Sequence, residues 1–153
     1  MRVRDAGSED APAMSALLMR LKALKLRTSP GDEAFVLDRY ISRPERIRCS
    51  LAEIESGRPL GFQILSWALE GNPYGVTPGW AIIGTHVAPE AARRGVGRAL
   101  FAETLAAARA AGVASIDATI GEDNAAGLAY YEAMGFRAYR TSPGSICKRF
   151  DLA

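Results

Sequence analysis

A strand-like run ends at Val87. The residues that follow, Ala88-Pro89-Glu90-Ala91-Ala92-Arg93-Arg94-Gly95-Val96-Gly97-Arg98, pass through a glycine-containing turn straight into a helical period. The first amides of a helix have no acceptor inside it, and together with the helix dipole they favour an anion. Gly95 and Gly97 carry no Cβ to hold a phosphate oxygen off the backbone, and Arg93, Arg94 and Arg98 add charge beside them. The chemistry this predicts is capture of a phosphate-bearing ligand over Gly95, Val96, Gly97 and Arg98. A plain tight turn, with its arginines on a solvated face, would use the same residues. The spacing is not that of Walker A, and no Gly-x-Gly-x-x-Gly follows the first strand, which speaks against a P-loop nucleotidase and a Rossmann oxidoreductase.

Proton chemistry has fewer candidates. His86 is the only histidine of the chain and lies on the strand that feeds the turn. An imidazole of ordinary pKa, about 6.5, suits a general base near neutrality, and a purely structural histidine is the other reading. Glu53, Glu55 and Glu70 are carboxylates on neighbouring strands that could accept a proton through a water or stay merely solvated. Tyr74, within the long loop Gly71 to Gly79, and Trp80, just after it, are candidate walls of a substrate pocket, or else a cover for the core or a subunit contact. The loop around Lys25 to Asp32 and the turn at Ser142 to Ser145 are further candidate walls.

The elements that must position these groups follow from hydrophobic period. Val3 sits in a short first strand; Asp10 before Pro12 reads as a helix cap, and Met14, Leu17, Leu18 and Leu21 form one apolar helical face. A second helix is predicted from about Glu33 to Ile41. Cys49 to Glu55 and Leu60 to Leu69 read as a hairpin, and Trp80 to Val87 as a third strand of that group. Gly84 inside it suggests a bulge or a close approach by a ligand or another backbone. Gly95 to Ala111 is helical and ends at Gly112. Ser115 to Ile120 is a strand, Asn124 caps a helix that stops at Gly135, and Phe136 to Arg140 and Ile146 to Leu152 close the chain as strands. The order is β-α-α-β-β-β-α-β-α-β-β, an α+β or mixed α/β class without repeats.

At 153 residues the chain has room for one domain, and 48% hydrophobic with 24% charged residues is the balance of a packed, water-soluble one. No apolar run is long enough for a membrane span, and the first residues lack the apolar core of a secretory signal, so a cytoplasmic protein is expected. A net charge of +2, with scattered basic residues, argues against a nucleic-acid partner. Cys49, Cys147 and His86 are too few for a disulfide framework or a zinc site, so no metal is expected, although a carboxylate-bound magnesium stays compatible with the composition.

The stretch from Val87 to Leu100 resembles motif A of the GNAT superfamily of acyl-CoA-dependent N-acetyltransferases: a strand, Val-x-Pro, then Arg/Gln-x-x-Gly-x-Gly/Ala and a helix. Downstream, Asn124-Ala125-Ala126-Gly127-Leu128-Ala129-Tyr130-Tyr131-Glu132-Ala133-Met134-Gly135-Phe136 is similar to the family's Asn-x-x-Ala-x-x-x-Tyr-x-x-x-Gly-Phe element, with Gly127 where Ala is commoner. Ala92 stands where Arg or Gln is usual. The resemblance spans nearly the whole chain and is strongest over Trp80 to Arg140. It implies a central, mostly antiparallel twisted sheet flanked by helices. It also implies acetyl-CoA as co-substrate, with its pantetheine arm along a splayed fourth strand at Gly84 to Val87, where a backbone N–H near His86 or Val87 would serve as oxyanion donor. In the same way Tyr131 becomes the general acid beside the sulfur, Tyr130 a packing residue, and Asn124 both a cap and a contact to the pantetheine arm. The implied activity is transfer of an acetyl group to the primary amine of a small molecule by direct attack, in a chain that could form a homodimer. The alternative is an acyl-CoA-binding or regulatory module that has lost the chemistry.

Overall fold

A computed structural model describes residues 1–152. Strand β1 (Arg2–Asp5) leads through a 3-10 turn (Ser8–Asp10) into helix α1 (Ala11–Ala23). Helix α2 (Glu33–Val36) runs on as a π-helical turn over Leu37–Ile41. Strands β2 (Arg46–Glu53), β3 (Pro59–Trp67) and β4 (Ala81–Val87) follow, then helix α3 (Val96–Ala111), strand β5 (Ser115–Gly121), helix α4 (Ala125–Met134) and strands β6 (Arg137–Ser142) and β7 (Ser145–Asp151). This is the order expected from the sequence, with strand ends shifted by a few residues.

The strands form one seven-stranded sheet in the order β1-β2-β3-β4-β5-β7-β6. Every neighbouring pair is antiparallel except β4 and β5, which run parallel and pair only at Ala81 with Ile116 and Ile82 with Asp117. Beyond Ile82 the two strands separate, and the rest of β4 keeps a partner on its β3 side alone.

Alternation along the strands divides the core. Phe62, Ile64, Cys49 and Leu51 are buried with Met14, Leu17, Leu18 and Leu21 of α1 and with Val36 and Tyr40. Leu65, Ile83, Ile116, Ala118 and Ile120 are buried with Phe101 and Ala108 of α3 and with Tyr131 and Phe136. Each fully buried large aliphatic side chain contributes about 1.5–3 kcal/mol, so the four of α1 outweigh what its propensity alone could supply.

Three local expectations change. Asp10 stands at the start of α1 but its side chain caps nothing there. Its carboxylate instead accepts from Arg4 Nη1 and Nη2, at 2.9 and 2.7 Å, and from the Gly7 amide at 2.8 Å, because a bidentate guanidinium outcompetes a single amide. The second helix is α-helical for only one turn before it widens. Gly84 marks no bulge: the β3–β4 register runs unbroken through its pairing with Ile64. A Cβ there would meet Ile64 Cγ2 at 3.2 Å, and the position lines a cavity.

Candidate active site

Gly95 opens α3 in the left-handed region, with φ of 79°, and makes no side-chain cap. The first backbone bond of the helix runs from the Ala99 amide to the Gly95 carbonyl at 3.0 Å. The amides of Gly95, Val96, Gly97 and Arg98 therefore have no acceptor among the described residues. Arg93 also takes a left-handed conformation, φ 64°, so that two adjacent turn residues in this region fold the loop tightly over the helix start. The side chains of Arg93, Arg94 and Arg98 are exposed and have no acidic partner among the described residues. Val96 offers only its amide, since its side chain is buried in the core. The exposed side chain of Ala92 points to no polar duty.

The two glycines have different reasons to be there. A Cβ on Gly95 would meet nothing within 4 Å, so it is the positive φ that selects glycine. A Cβ on Gly97 would lie 2.5 Å from Tyr130 Cε1. Gly97 thus makes room for Tyr130, whose hydroxyl donates to the Gly97 carbonyl at 2.7 Å, rather than for a ligand oxygen.

Backbone direction in β4 follows from its pairing with β3. Ala88 N–H donates to Leu60 O at 2.8 Å and Ala68 N–H to Trp80 O at 2.7 Å, so even-numbered residues of β4 turn their backbone groups to β3 and odd-numbered ones away. The amides of Thr85 and Val87 accordingly face the gap where β5 has left, and that of His86 faces β3. Of the two expected oxyanion donors, His86 and Val87, geometry favours the Val87 amide.

Behind β4 lies a buried polar network. Gln63, fully buried, accepts from Thr104 Oγ1 at 2.5 Å and donates from Nε2 to Thr85 Oγ1 at 3.0 Å and to Tyr130 Oη at 2.9 Å. Thr85 Oγ1 in turn lies 2.7 Å from Tyr131 Oη. Tyr131 is held by Phe136, at 5.2 Å between ring centroids, and by Tyr130 at 5.0 Å. Burial raises the Tyr131 phenol above its ordinary value and pushes Tyr130 up to about 12, so both are protonated at neutrality. The residues around Tyr131 have local explanations. Asn124 Oδ1 accepts from the Gly127 amide at 2.9 Å, and a Cβ on residue 127 would lie 2.6 Å from Asn124 Nδ2, which explains glycine where the motif usually has alanine. Gly135, φ 107°, reverses the chain so that the Phe136 amide reaches Tyr131 O at 2.9 Å and its ring packs beneath Tyr131.

On the opposite face of β4 a cavity of about 550 Å³ opens, lined by Arg27, Arg39, Tyr40, Tyr74, Gly84 and His86 among others. His86 Nε2 lies 3.4 Å from Tyr40 Oη, and the ring packs at 4.8 Å on Phe62. Burial, reinforced by the Arg27 charge, pushes the imidazole down to about 3, so it is neutral at physiological pH. Tyr74 is 42% exposed at the mouth, and its carbonyl is held by Arg140 Nη2 at 2.7 Å. Trp80 is not part of this lining. It packs at 5.6 Å on Tyr139 under the Arg149 guanidinium, 4.5 Å from its ring, because the strand carries it past the end of the cavity. Glu53 is tied to Arg2 and Arg4 at 2.6 and 2.9 Å, and both it and Glu55 line a separate depression at the far end of β2; neither lines the cavity, whereas Glu70 does. The turn at Ser142 to Ser145 does not reach the cavity either.

Sequence reasoning missed Gln63 and Thr104, and it missed the cluster of Phe35, Arg39 and Tyr40. The spacing of Phe35 and Arg39, four residues apart on one helical face, is the signal that was available. Among the described residues no group of His, Cys, Asp and Glu side chains could hold a metal ion, and no helix is long and apolar enough to cross a membrane.

Comparison with known proteins bears on this geometry. The fold is that of the GCN5-related N-acetyltransferase of Kribbella flavida (24% identity over 99% of this chain and 97% of that one, TM-score 0.79). It is equally that of yncA from Salmonella typhimurium, whose structure holds its cofactor acetyl-CoA (18% identity, 99% and 94% covered, TM-score 0.79). The GNAT domain of S. lividans PAT superposes with a TM-score of 0.82 at 21% identity, with 99% and 90% covered. No curated protein matches the sequence. The family model for the acetyltransferase (GNAT) family matches residues 14–136, which include most of α1, the turn at Gly95 and all of α4. The chain belongs to the GNAT acetyltransferase family.

Proposed function

We propose that the chain is an acetyl-CoA-dependent N-acetyltransferase that acts, as one domain in the cytosol, on the primary amine of a small molecule. The observation that carries this reading is the coincidence, along one strand, of three things: the unpartnered amides of Gly95 to Arg98, the unpaired outer edge of Thr85 and Val87, and the Tyr131 hydroxyl 2.7 Å from Thr85 Oγ1. The free amides and Arg94 and Arg98 suit the pyrophosphate of CoA, and Arg93 and Asn124 are the further contacts to CoA in this reading. An extended pantetheine arm carries amides that can pair with the outer edge of β4 as a strand would. Bound there, acetyl-CoA supplies an acyl thioester.

In the reaction the acceptor enters from the cavity on the His86 side. Its neutral amine attacks the thioester carbonyl; a C–N bond forms, the C–S bond breaks, and the amine loses a proton. The Val87 amide donates to the carbonyl oxygen as negative charge develops there. Tyr131 gives its proton to the departing thiolate, and the Thr85 hydroxyl, held by Gln63, can turn its own proton toward the phenolate oxygen. His86 is too weakly basic to hold the amine's proton, so it acts in this scheme as a hydrogen-bond acceptor for the incoming amine, and water carries the proton away, with Glu70 at the cavity mouth.

The test follows free thiol release from acetyl-CoA with amine acceptors. Tyr131→Phe is expected to lower kcat by about 10²- to 10⁴-fold while acetyl-CoA affinity stays within about twofold. Equal turnover in that variant would remove the acid assignment. Stoichiometric acetyl-CoA binding without transfer to any amine would favour a module that binds only.

A further inference from the structure

We infer that the acceptor carries an oxyanion, a carboxylate or a phosphinate or phosphonate group, close to its amine, and that this group docks between Arg27 and Arg39; this rests on the acetyl-transfer reading above. Both guanidiniums line the cavity and both are stacked on one ring: Arg39 Cζ lies 4.9 Å and Arg27 Cζ 5.6 Å from the Phe35 centroid. Phe35 thereby holds two cations at one place, and the ring's quadrupole offsets only part of their mutual repulsion.

Neither arginine has a carboxylate within ion-pair distance among the described residues. Arg27 spends its donors on neutral oxygens, Pro30 O at 2.8 Å and Tyr40 Oη at 3.4 Å. Arg39 Nε is enclosed and makes no hydrogen bond among the described residues. The third arginine of the cavity, Arg43, is neutralised by Glu45 at 2.5 Å. Elsewhere the half-buried arginines Arg4, Arg46 and Arg48 all have acidic partners. A half-buried charge without a partner is expensive, and a ligand of opposite charge is what would offset it here.

Distance narrows the acceptor further. Tyr40 Oη bridges Arg27 Nη2 and His86 Nε2, 3.4 Å from each. The oxyanion seat is therefore two such contacts from the His86 ring, on the face of β4 from which the acceptor enters. That separation suits an amino acid or a short aminoalkyl phosphinate. A polyamine or aminoglycoside would meet two cations, and a peptide N-terminus has no carboxylate at this spacing. Glu70, exposed, is the other acid of the cavity lining and has no arginine partner among the described residues.

The test is calorimetric binding to the full chain saturated with CoA, using neutral L-amino acids, their carboxamides, 2-aminoethylphosphonate and 1,4-diaminobutane as probes. At least one acid or phosphonate is expected to bind roughly ten- to a hundredfold more tightly than the matched carboxamide or the diamine, the factor expected for a charge-assisted hydrogen bond. The preference for acid over phosphonate, or the reverse, says which oxyanion the seat takes. In Arg39→Gln the acid-over-carboxamide ratio should collapse toward one, and in Arg39→Lys it should be partly restored. Carboxamides or the diamine binding as well as the acids, or an unchanged ratio in Arg39→Gln, would overturn the inference. Because binding is read without turnover, a failure of acetyl transfer itself would show separately, as acid binding with no thiol released from acetyl-CoA.

Discussion

Replacing Gly97 by alanine isolates the contact that couples the two motifs. The new Cβ would stand 2.5 Å from Tyr130 Cε1 and 3.1 Å from its Cζ, whereas carbon atoms in contact sit at about 3.5–4.0 Å. Tyr130 must then retreat by about an ångström. Its hydroxyl is anchored 2.7 Å from Gly97 O and 2.9 Å from Gln63 Nε2, and a retreat of that size breaks or badly stretches both bonds. Overpacking costs about 1–3 kcal/mol and each of the two lost hydrogen bonds about 0.5–1.5 kcal/mol, for a total of about 2–6 kcal/mol. For a chain of this length each kcal/mol moves Tm by about 2–4 °C, so Tm should fall by about 4–24 °C. Gly95→Ala is the control: it meets no atom within 4 Å and pays only for a left-handed alanine, about 1–2 kcal/mol. Urea unfolding followed by circular dichroism would compare the two. Acetyl-CoA affinity measured alongside should drop more in Gly97→Ala, since Tyr130 no longer steadies the Gly97 peptide within the amide cradle. A Gly97→Ala protein as stable as Gly95→Ala would refute the packing argument.

Two further outcomes concern pH. With the imidazole pushed down to about 3, the acid limb of a kcat/KM profile above about pH 5 does not report His86, so His86→Gln should leave its midpoint in place; a displaced midpoint would show that the ring titrates there. Asp10 is held below its usual 3.8 chiefly by the hydrogen bonds from Arg4. A depressed carboxylate stabilises the fold above its unfolded value, and that contribution is lost as pH falls through the folded one. Urea midpoints of the wild type should therefore decline more between about pH 5 and pH 2 than those of Asp10→Asn, and parallel declines would contradict the assignment.

Much of this protein could be read locally. An asparagine that caps a helix and a glycine that ends one act within a few residues, so Asn124 and Gly135 were legible locally, whereas Phe136 is marked only by its motif and Gly95 reads as clearance for an anion without showing the positive φ it takes. The element order was legible for the same reason, since hydrophobic period reflects which face of each segment leaves water. Tyr131 was recognisable only through its motif, because nothing in the period of α4 distinguishes its hydroxyl from that of Tyr130.

Tertiary structure decided the rest. That β4 and β5 pair at only two positions is a matter of how two strands diverge over helices packed on both faces. Gln63 joins Thr85, Thr104 and Tyr130 across separations of 22, 41 and 67 residues, and within its own strand it reads as a polar interruption. Trp80 and Tyr74 look alike in sequence, yet only Tyr74 reaches the cavity. Arg27 and Arg39 become a pair only once Phe35 lies between them. Caps and turns are set by neighbours along the chain, whereas a site's charge and depth are set by which distant groups are buried together, and that depends on packing that no single segment encodes.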